Sequence, residues 1–187
     1  MHAVVSLLDD VHWRQVEGLW AELNRACGVK GIYGTPFPHF SYQVASSYAE
    51  GRLEELLARI AEEQAPFSVR TSGMGLFTGA TPVLYVPVVR SRGLSLVQQK
   101  IYRQTAQAGA GFHPYYHPDR WIPHITLAYG DLTPANLPDV VRHLCERDFA
   151  WELPVNNIAL IYDTGQEQGV RFRFPLRGKT AKKISPA

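Results

Sequence analysis

One four-residue pattern occurs twice in this chain of 187 residues, as Pro38-His39-Phe40-Ser41 and as Pro123-His124-Ile125-Thr126. Proline precedes histidine, an apolar residue follows it, and a hydroxyl closes the unit. The two histidines stand 85 positions apart (124 − 39). Side chains at i and i+2 share a face only on an extended backbone, so each unit asks for a strand that presents an imidazole and a hydroxyl together. Phe40, Tyr42, Ile125, Leu127 and Tyr129 then point to the opposite face and are expected to pack against helices. The corresponding places of the two units predict two similar halves, with their polar strand faces bordering one groove.

The rest of the chain supplies the elements for such a fold. Val4–Leu8 reads as a buried strand, and Asp9 or Asp10 can cap a helix whose apolar positions are Val16, Leu19, Trp20 and Leu23, ending near Gly28. A turn-rich approach leads to a strand over Phe37–Val44. Glu50–Glu63 carries Leu53, Leu56, Leu57 and Ile60 at helical spacing, and Pro66 stops it. Phe67–Phe77, interrupted by Gly73 and Gly75, and Val83–Val89 are expected to form a hairpin. A helix over Leu94–Ala108, an irregular loop over Gly109–Trp121 and a strand over Ile122–Tyr129 follow. A helix opening at Pro134 or Asn136 reaches about Arg147, and strands at Ile158–Tyr162 and Val170–Phe174 close the chain. The class expected is α+β with mainly antiparallel sheets, as a single domain over residues 1–177. Residues 178–187, with Lys179, Lys182 and Lys183, read as a basic flexible tail.

Composition narrows the chemistry. The chain is 45% apolar and 19% charged with a formal net charge of +2, so it folds and is not disordered, and it lacks the cationic excess of a duplex-DNA binder. An anionic small ligand or an RNA end remains compatible. Cys27 and Cys145 form neither a disulfide framework nor a paired metal-ligand spacing, which fits a reducing cytoplasm. The apolar run Ala3–Leu8 is too short for a leader or a membrane span, so a soluble chain, expected to be monomeric, is predicted.

Two imidazoles and two hydroxyls around one point suit a phosphodiester. Cleavage needs a base to deprotonate the attacking oxygen and an acid to protonate the departing one, and histidine titrates where it can do either. The hydroxyls of Ser41 and Thr126 can donate to the non-bridging oxygens as charge builds on phosphorus, with no metal or other cofactor required. A lone His-x-Ser is commonly a surface or capped core histidine; two copies on strands, each behind a proline, are a site.

These residues resemble the 2H phosphoesterase superfamily, which includes the 2′-5′ RNA ligase-like proteins and the cyclic nucleotide phosphodiesterases. Trp121-Ile122-Pro123-His124-Ile125-Thr126-Leu127-Ala128 is very similar to the family's second motif, and Gly73-Met74-Gly75-Leu76-Phe77 to its central Gly-x-Gly-x-Phe stretch. The first motif matches with Ser41 where Thr is more frequent. The resemblance spans about Val4 to Leu176. It implies a bilobal, pseudo-symmetric fold of two ferredoxin-like halves around a central groove, and metal-independent action on 2′,3′-cyclic phosphates or 2′-5′ linkages of RNA ends or small nucleotides. By the same resemblance one of His39 and His124 is base and the other acid, and reversal of the steps gives ligation.

Substrate-binding candidates lie beside the two units: Tyr33 and Phe37 before the first, and Tyr115, Tyr116, Arg120 and Trp121 before the second, as aromatic platforms or cations for a nucleotide. Arg171 and Arg173 alternate with Val170, Phe172 and Phe174, so both are expected on one face, as phosphate contacts. Two other readings compete. One is a nucleotide- or RNA-binding module of the same fold without turnover. The other is a metallohydrolase using His113, His117 and His124, although Pro114 and Pro118 break any regular helical pair there.

Overall fold

The computed structural model describes residues 1–179. Ten strands and four helices are arranged in two lobes. Strand β1 (His2–Leu7) leads into α1 (Asp10–Cys27), which is capped by the Asp9 carboxylate accepting from the Val11 amide at 3.1 Å and is ended by Gly28 at φ 69°. Then come β2 (His39–Tyr48), α2 (Glu50–Glu63), β3 (Phe67–Arg70), β4 (Gly75–Phe77) and β5 (Val83–Pro87). The chain continues with α3 (Arg92–Thr105), β6 (Gly109–Phe112), β7 (His124–Ala128), α4 (Leu137–Leu144), β8 (Glu152–Val155), β9 (Asn157–Asp163) and β10 (Gln168–Pro175).

Lobe 1 is a five-stranded antiparallel sheet in the order β10-β9-β1-β2-β6. Its outer face carries Val4, Phe40, Tyr42, Ile158 and Leu160, which pack with Leu53, Leu57 and Ile60 of α2 and Leu94 and Ile101 of α3 in the main core. Its inner face carries a smaller cluster of Ala3, Val5, Leu7, Val44, Ala159 and Ile161. Lobe 2 joins β3-β8 and β4-β5-β7, stitched by a bridge between Thr71 and Val88, with α1 packed beside β7 and α4 against α1. The α+β class and the two-lobe arrangement are those that the repeated unit calls for.

Several elements differ from their sequence reading. The stretch over Phe67–Phe77 is two strands: β3 pairs with β8, and only β4 forms the hairpin with β5. Gly73 at φ 63° turns the chain between them, a conformation that glycine adopts without strain. Gly109–Phe112, read as loop, is the edge strand β6, whose glycines lack any strand propensity to reveal it. Strand β8 holds Pro154 and was equally silent. Tyr129 does not pack against helices; β7 ends at Ala128, Gly130 follows at φ 90°, and the ring is 50% exposed. Near the C terminus the Arg177 amide donates to Ala61 at 2.8 Å and the Gly178 amide to Gln64 at 3.0 Å, while Lys182 and Lys183 lie outside the described residues. No helix among the described residues is long and apolar enough to cross a membrane.

Candidate active site

Both histidines open a strand, and both are set by the same backbone device. The Pro38 carbonyl accepts the Leu8 amide at 3.0 Å, and the Pro123 carbonyl accepts the Val88 amide at 2.9 Å. Proline thus occupies the first pairing position of each strand, where its carbonyl is used and its missing N–H is not needed. The chain bend this creates returns the preceding carbonyl toward the ring. His39 Nδ1 donates to the Phe37 carbonyl, and His124 Nδ1 donates to the Ile122 carbonyl at 2.7 Å. These bonds assign the proton to Nδ1 in each neutral ring and leave Nε2 as the free, lone-pair nitrogen.

The hydroxyls follow two residues later on the same faces. In lobe 1, His39 and Ser41 stand opposite Leu7 and Val5 of β1, so both point to the inner face. In lobe 2, His124 and Thr126 stand opposite Pro87 and Tyr85 of β5. Strand β2, ahead of the point where β6 joins it at Ala45, approaches the unpaired edge of β7, and each of these edges is closed by an indole. Trp121 Nε1 donates to the Ser41 carbonyl at 2.8 Å, and Trp20 Nε1 donates to the Thr126 carbonyl at 3.0 Å. Capping these carbonyls stops the edges from recruiting another strand, which leaves the side chains facing a groove.

The surroundings of the two rings differ. His124 sits in an aromatic box, with Phe77 edge-on at 5.0 Å and Tyr85 tilted at 5.1 Å, and those two rings stack on each other at 4.2 Å. Gly75 makes this box possible, because a Cβ there would lie 2.3 Å from the Tyr85 ring. His39 lies instead beside the apolar inner cluster, against which Phe37 and Tyr116 pack. Burial pushes the His39 pKa from 6.5 down to about 4; the bond to Phe37 opposes the shift and the charge of His124 adds to it. Burial also lowers the pKa of His124, against its bond to Ile122. The two rings are therefore near enough to feel each other's charge. The charge on one ring disfavours a second proton on the other.

The substrate-binding candidates scatter. Phe37 lies on the inner face beside His39. Tyr33 is 40% exposed, packs edge-on to Trp20 at 6.5 Å and accepts a bond from Gln168 through its carbonyl. Tyr115 is 69% exposed and leans on His113. Arg120 lines a side cleft of about 460 Å³ with Tyr102, Phe112, His113 and His117, and His124 is not among the lining residues. Trp121 is no open platform: it is 1% exposed, with its face stacked on Tyr42 at 6.1 Å.

Arg171 and Arg173 do not share a face. A bulge in β10 between Val170 and Phe172 takes up Arg171, which pairs with Glu50 at 3.3 Å and lies over the Tyr162 ring at 4.4 Å. Arg173 returns to the inner face opposite Ala159, in one cross-strand row with Val5 and Ser41. Among the described residues Arg173 forms no ion pair, and no three His, Cys, Asp or Glu side chains gather where a metal ion could be held. Phe77 and Tyr85 are site residues that the sequence reading did not single out. The signal was Gly75-x-Phe77, which places a ring two residues from a glycine on one strand face.

Two lobes presenting matched histidine and hydroxyl pairs across a groove define the class of two-histidine phosphoesterase folds. The chain belongs to the 2′-5′ RNA ligase superfamily, which it matches over residues 8–167. Relatives in Bacillus cereus and Bacillus mycoides, provisionally assigned as phosphoesterases, are each 26% identical over 128 residues, or 67% of this chain and 70% of theirs. Among solved structures, TT0787 of Thermus thermophilus superposes with a TM-score of 0.69 at 19% identity, covering 96% of this chain and 99% of that one. LigT of Escherichia coli, solved with 3′-AMP, gives 0.60 at 18% identity over 94% and 97% of the two chains. Usb1 of Kluyveromyces marxianus gives 0.52 at 14% identity, again over 94% and 97%. These likenesses establish the fold, and the family and relatives establish a phosphoesterase of this superfamily.

Proposed function

We propose that this chain is a metal-independent phosphodiesterase that opens 2′,3′-cyclic phosphates, or breaks 2′-5′ linkages, at RNA or nucleotide ends by two-histidine acid–base catalysis. The observation that carries the reading is the duplicated tautomer lock: both Nδ1 protons are held by carbonyls two residues back, so both Nε2 atoms are free for proton transfer in the groove. The nucleotide-bound form of the similar LigT supports a nucleotide ligand.

The roles are read from the surroundings of the two rings. His39, kept neutral by burial beside the apolar inner cluster, serves as the base, and His124 serves as the acid. With a 2′,3′-cyclic phosphate, His39 Nε2 takes a proton from water as its oxygen bonds to phosphorus. The bond from phosphorus to the 3′ oxygen breaks, and His124 gives that oxygen its proton, leaving a 2′-phosphate and a free 3′ hydroxyl. Ser41 and Thr126 donate to the non-bridging oxygens, and with the 5′ hydroxyl of a second strand in place of water the same steps join two ends through a 2′-5′ linkage, the 3′ oxygen again leaving with the proton from His124. We read Arg173, about three strand spacings or roughly 14 Å from Ser41 along its row, as a contact for a second phosphate and not the scissile one. The groove is complete within one chain, so a monomer suffices, and the free thiols of Cys27 and Cys145 suit a reducing cytoplasm.

The test is turnover of a nucleoside 2′,3′-cyclic phosphate, with and without chelator, across pH. Activity should survive chelator. The profile of kcat/KM should be a bell displaced to the acid side of neutrality, its acid limb near the His39 value of about 4. The alkaline limb of kcat should lie higher, because a bound phosphate anion favours protonated His124. Binding without turnover at every pH where the fold survives would identify a binding module instead. Loss of activity in chelator would identify a metal-dependent hydrolase.

A further inference from the structure

His113, His117 and Arg120 take no part in the steps above, yet they gather in one place. With Tyr102 and Phe112 they line the side cleft of about 460 Å³, where β6 runs into the loop that leads to Trp121.

The histidines of the cleft are held the other way round from those of the groove. The Tyr115 amide donates to His113 Nδ1 at 3.4 Å, and the Asp119 amide donates to His117 Nδ1 at 3.4 Å. A ring nitrogen that accepts an amide proton carries none of its own, so in each neutral ring the N–H is at Nε2. The groove presents lone pairs, which move protons; the cleft presents N–H donors, which hold anions. Arg120 adds a guanidinium that forms no ion pair among the described residues. The Asp119 carboxylate, 3.6 Å from His117 Nδ1, is 87% exposed and stays solvated at the rim. Behind these donors stand two half-buried rings, Tyr102 and Phe112, tilted to each other at 6.3 Å. Such rings accept a base of any identity by stacking.

One turn separates the cleft from the groove. The His113 amide donates to the carbonyl of Val44, a member of the inner cluster, at 2.9 Å. In the short 3₁₀ turn Pro114–Tyr116 that follows, Pro114 lines the cleft while Tyr116 packs on the inner cluster. Gln98, fully buried, holds this turn against β2, its Nε2 donating to the Tyr116 carbonyl at 2.9 Å and to the Tyr42 carbonyl at 3.2 Å. A strand lying over the turn has one end in each place. Arg173, on β10 at the far edge of the same sheet, flanks the scissile position from the other side.

We propose that the side cleft binds a nucleotide on the 5′ side of the reacting end, with Arg120, His113 and His117 on its phosphate and Tyr102 and Phe112 against its base, so that the substrate is an RNA strand and not a free nucleotide. The inference rests on the phosphodiesterase reading above and deepens it.

The experiment compares kcat/KM for a nucleoside 2′,3′-cyclic phosphate with that for a tetranucleotide ending in the same group. The unsubstituted chain, Arg120→Gln and Tyr102→Leu are measured, each checked for folding by circular dichroism. A 5′-labelled tetranucleotide ending in a 2′-phosphate, which binds without turnover, reads affinity by fluorescence polarisation across salt. The unsubstituted chain should favour the tetranucleotide about tenfold, the scale of one stacked base. Both variants should bring that ratio toward one, a change that a general loss of structure would not produce. Arg120→Gln should also flatten the slope of log affinity against log salt by about 0.7, the loss of one phosphate contact on a single strand. A ratio near one in the unsubstituted chain, or equal losses on both substrates in Arg120→Gln, overturns the cleft and leaves the catalytic reading standing. A chain that turns over neither substrate overturns that reading, and the labelled strand then decides the cleft alone: affinity and slope unchanged by Arg120→Gln overturn it, and weaker binding with the flatter slope upholds it.

Discussion

The half-site in lobe 1 and the half-site in lobe 2 share a backbone and differ in what surrounds it. In both, a proline carbonyl pairs with the neighbouring strand, a histidine donates from Nδ1 to the carbonyl two residues back, and an indole closes the edge beside the hydroxyl residue. Around His124, however, stand Phe77 and Tyr85, whereas His39 looks onto Phe37, Tyr116 and a floor of small aliphatic side chains. Two identical half-sites would compete equally for one proton. Under the proposed mechanism the differing walls give an otherwise symmetric pair its direction, while the repulsion between the rings opposes charging both at once.

The comparison is broken most severely by removing either ring. His39→Ala and His124→Ala should each lower kcat by about 10² to 10⁴-fold with the fold intact, because both side chains lie in the groove and not in the core. Steady-state kinetics beside a thermal melt checks this, and normal turnover in either variant sinks the paired mechanism. A smaller effect comes from the wall alone. Gly75→Ala drives a Cβ toward the Tyr85 ring and opens the box around His124, which hydrates that imidazole and moves its pKa upward. The alkaline limb of the kcat/KM profile should follow it, leaving the acid limb in place; a shift of the acid limb instead would reverse the assignment of acid and base.

The smallest effect is on stability. The His39 pKa is lowered in the folded state, so between 6.5 and about 4 the unfolded chain binds the extra proton and acid favours unfolding. Stability should be full above that window and decline as pH falls through it. In denaturant titrations His39→Gln should flatten that decline; an unchanged slope would mean that the ring is hydrated.

The sequence revealed the parts of the site that depend on alternation. His39 with Ser41 and His124 with Thr126 needed only a period of two and a proline. Arg171 and Arg173 obey the same period in sequence, yet a bulge places them on opposite faces, and no residue type announces a bulge. Trp121 reads as a platform because it neighbours the site, but its indole has a carbonyl to satisfy, which draws it under the surface. Phe77 and Tyr85 look like ordinary strand aromatics, and only the pairing of β4, β5 and β7 gathers them at His124. Strands β6 and β8 were hidden by glycine and proline, since tertiary pairing and not local propensity extends those segments.

Trp121 stands three residues ahead of His124, yet its indole is bonded to Ser41 in the opposite lobe and its ring is stacked on Tyr42. A tripeptide and one hydrogen bond thus connect the two halves of the site, like the fixed jaw of a gauge. The span between the imidazoles is set when the chain folds, not when the ligand arrives. On the proposed mechanism such a groove would select by size: a phosphodiester of the right breadth would meet both rings at once, and a wider group only one.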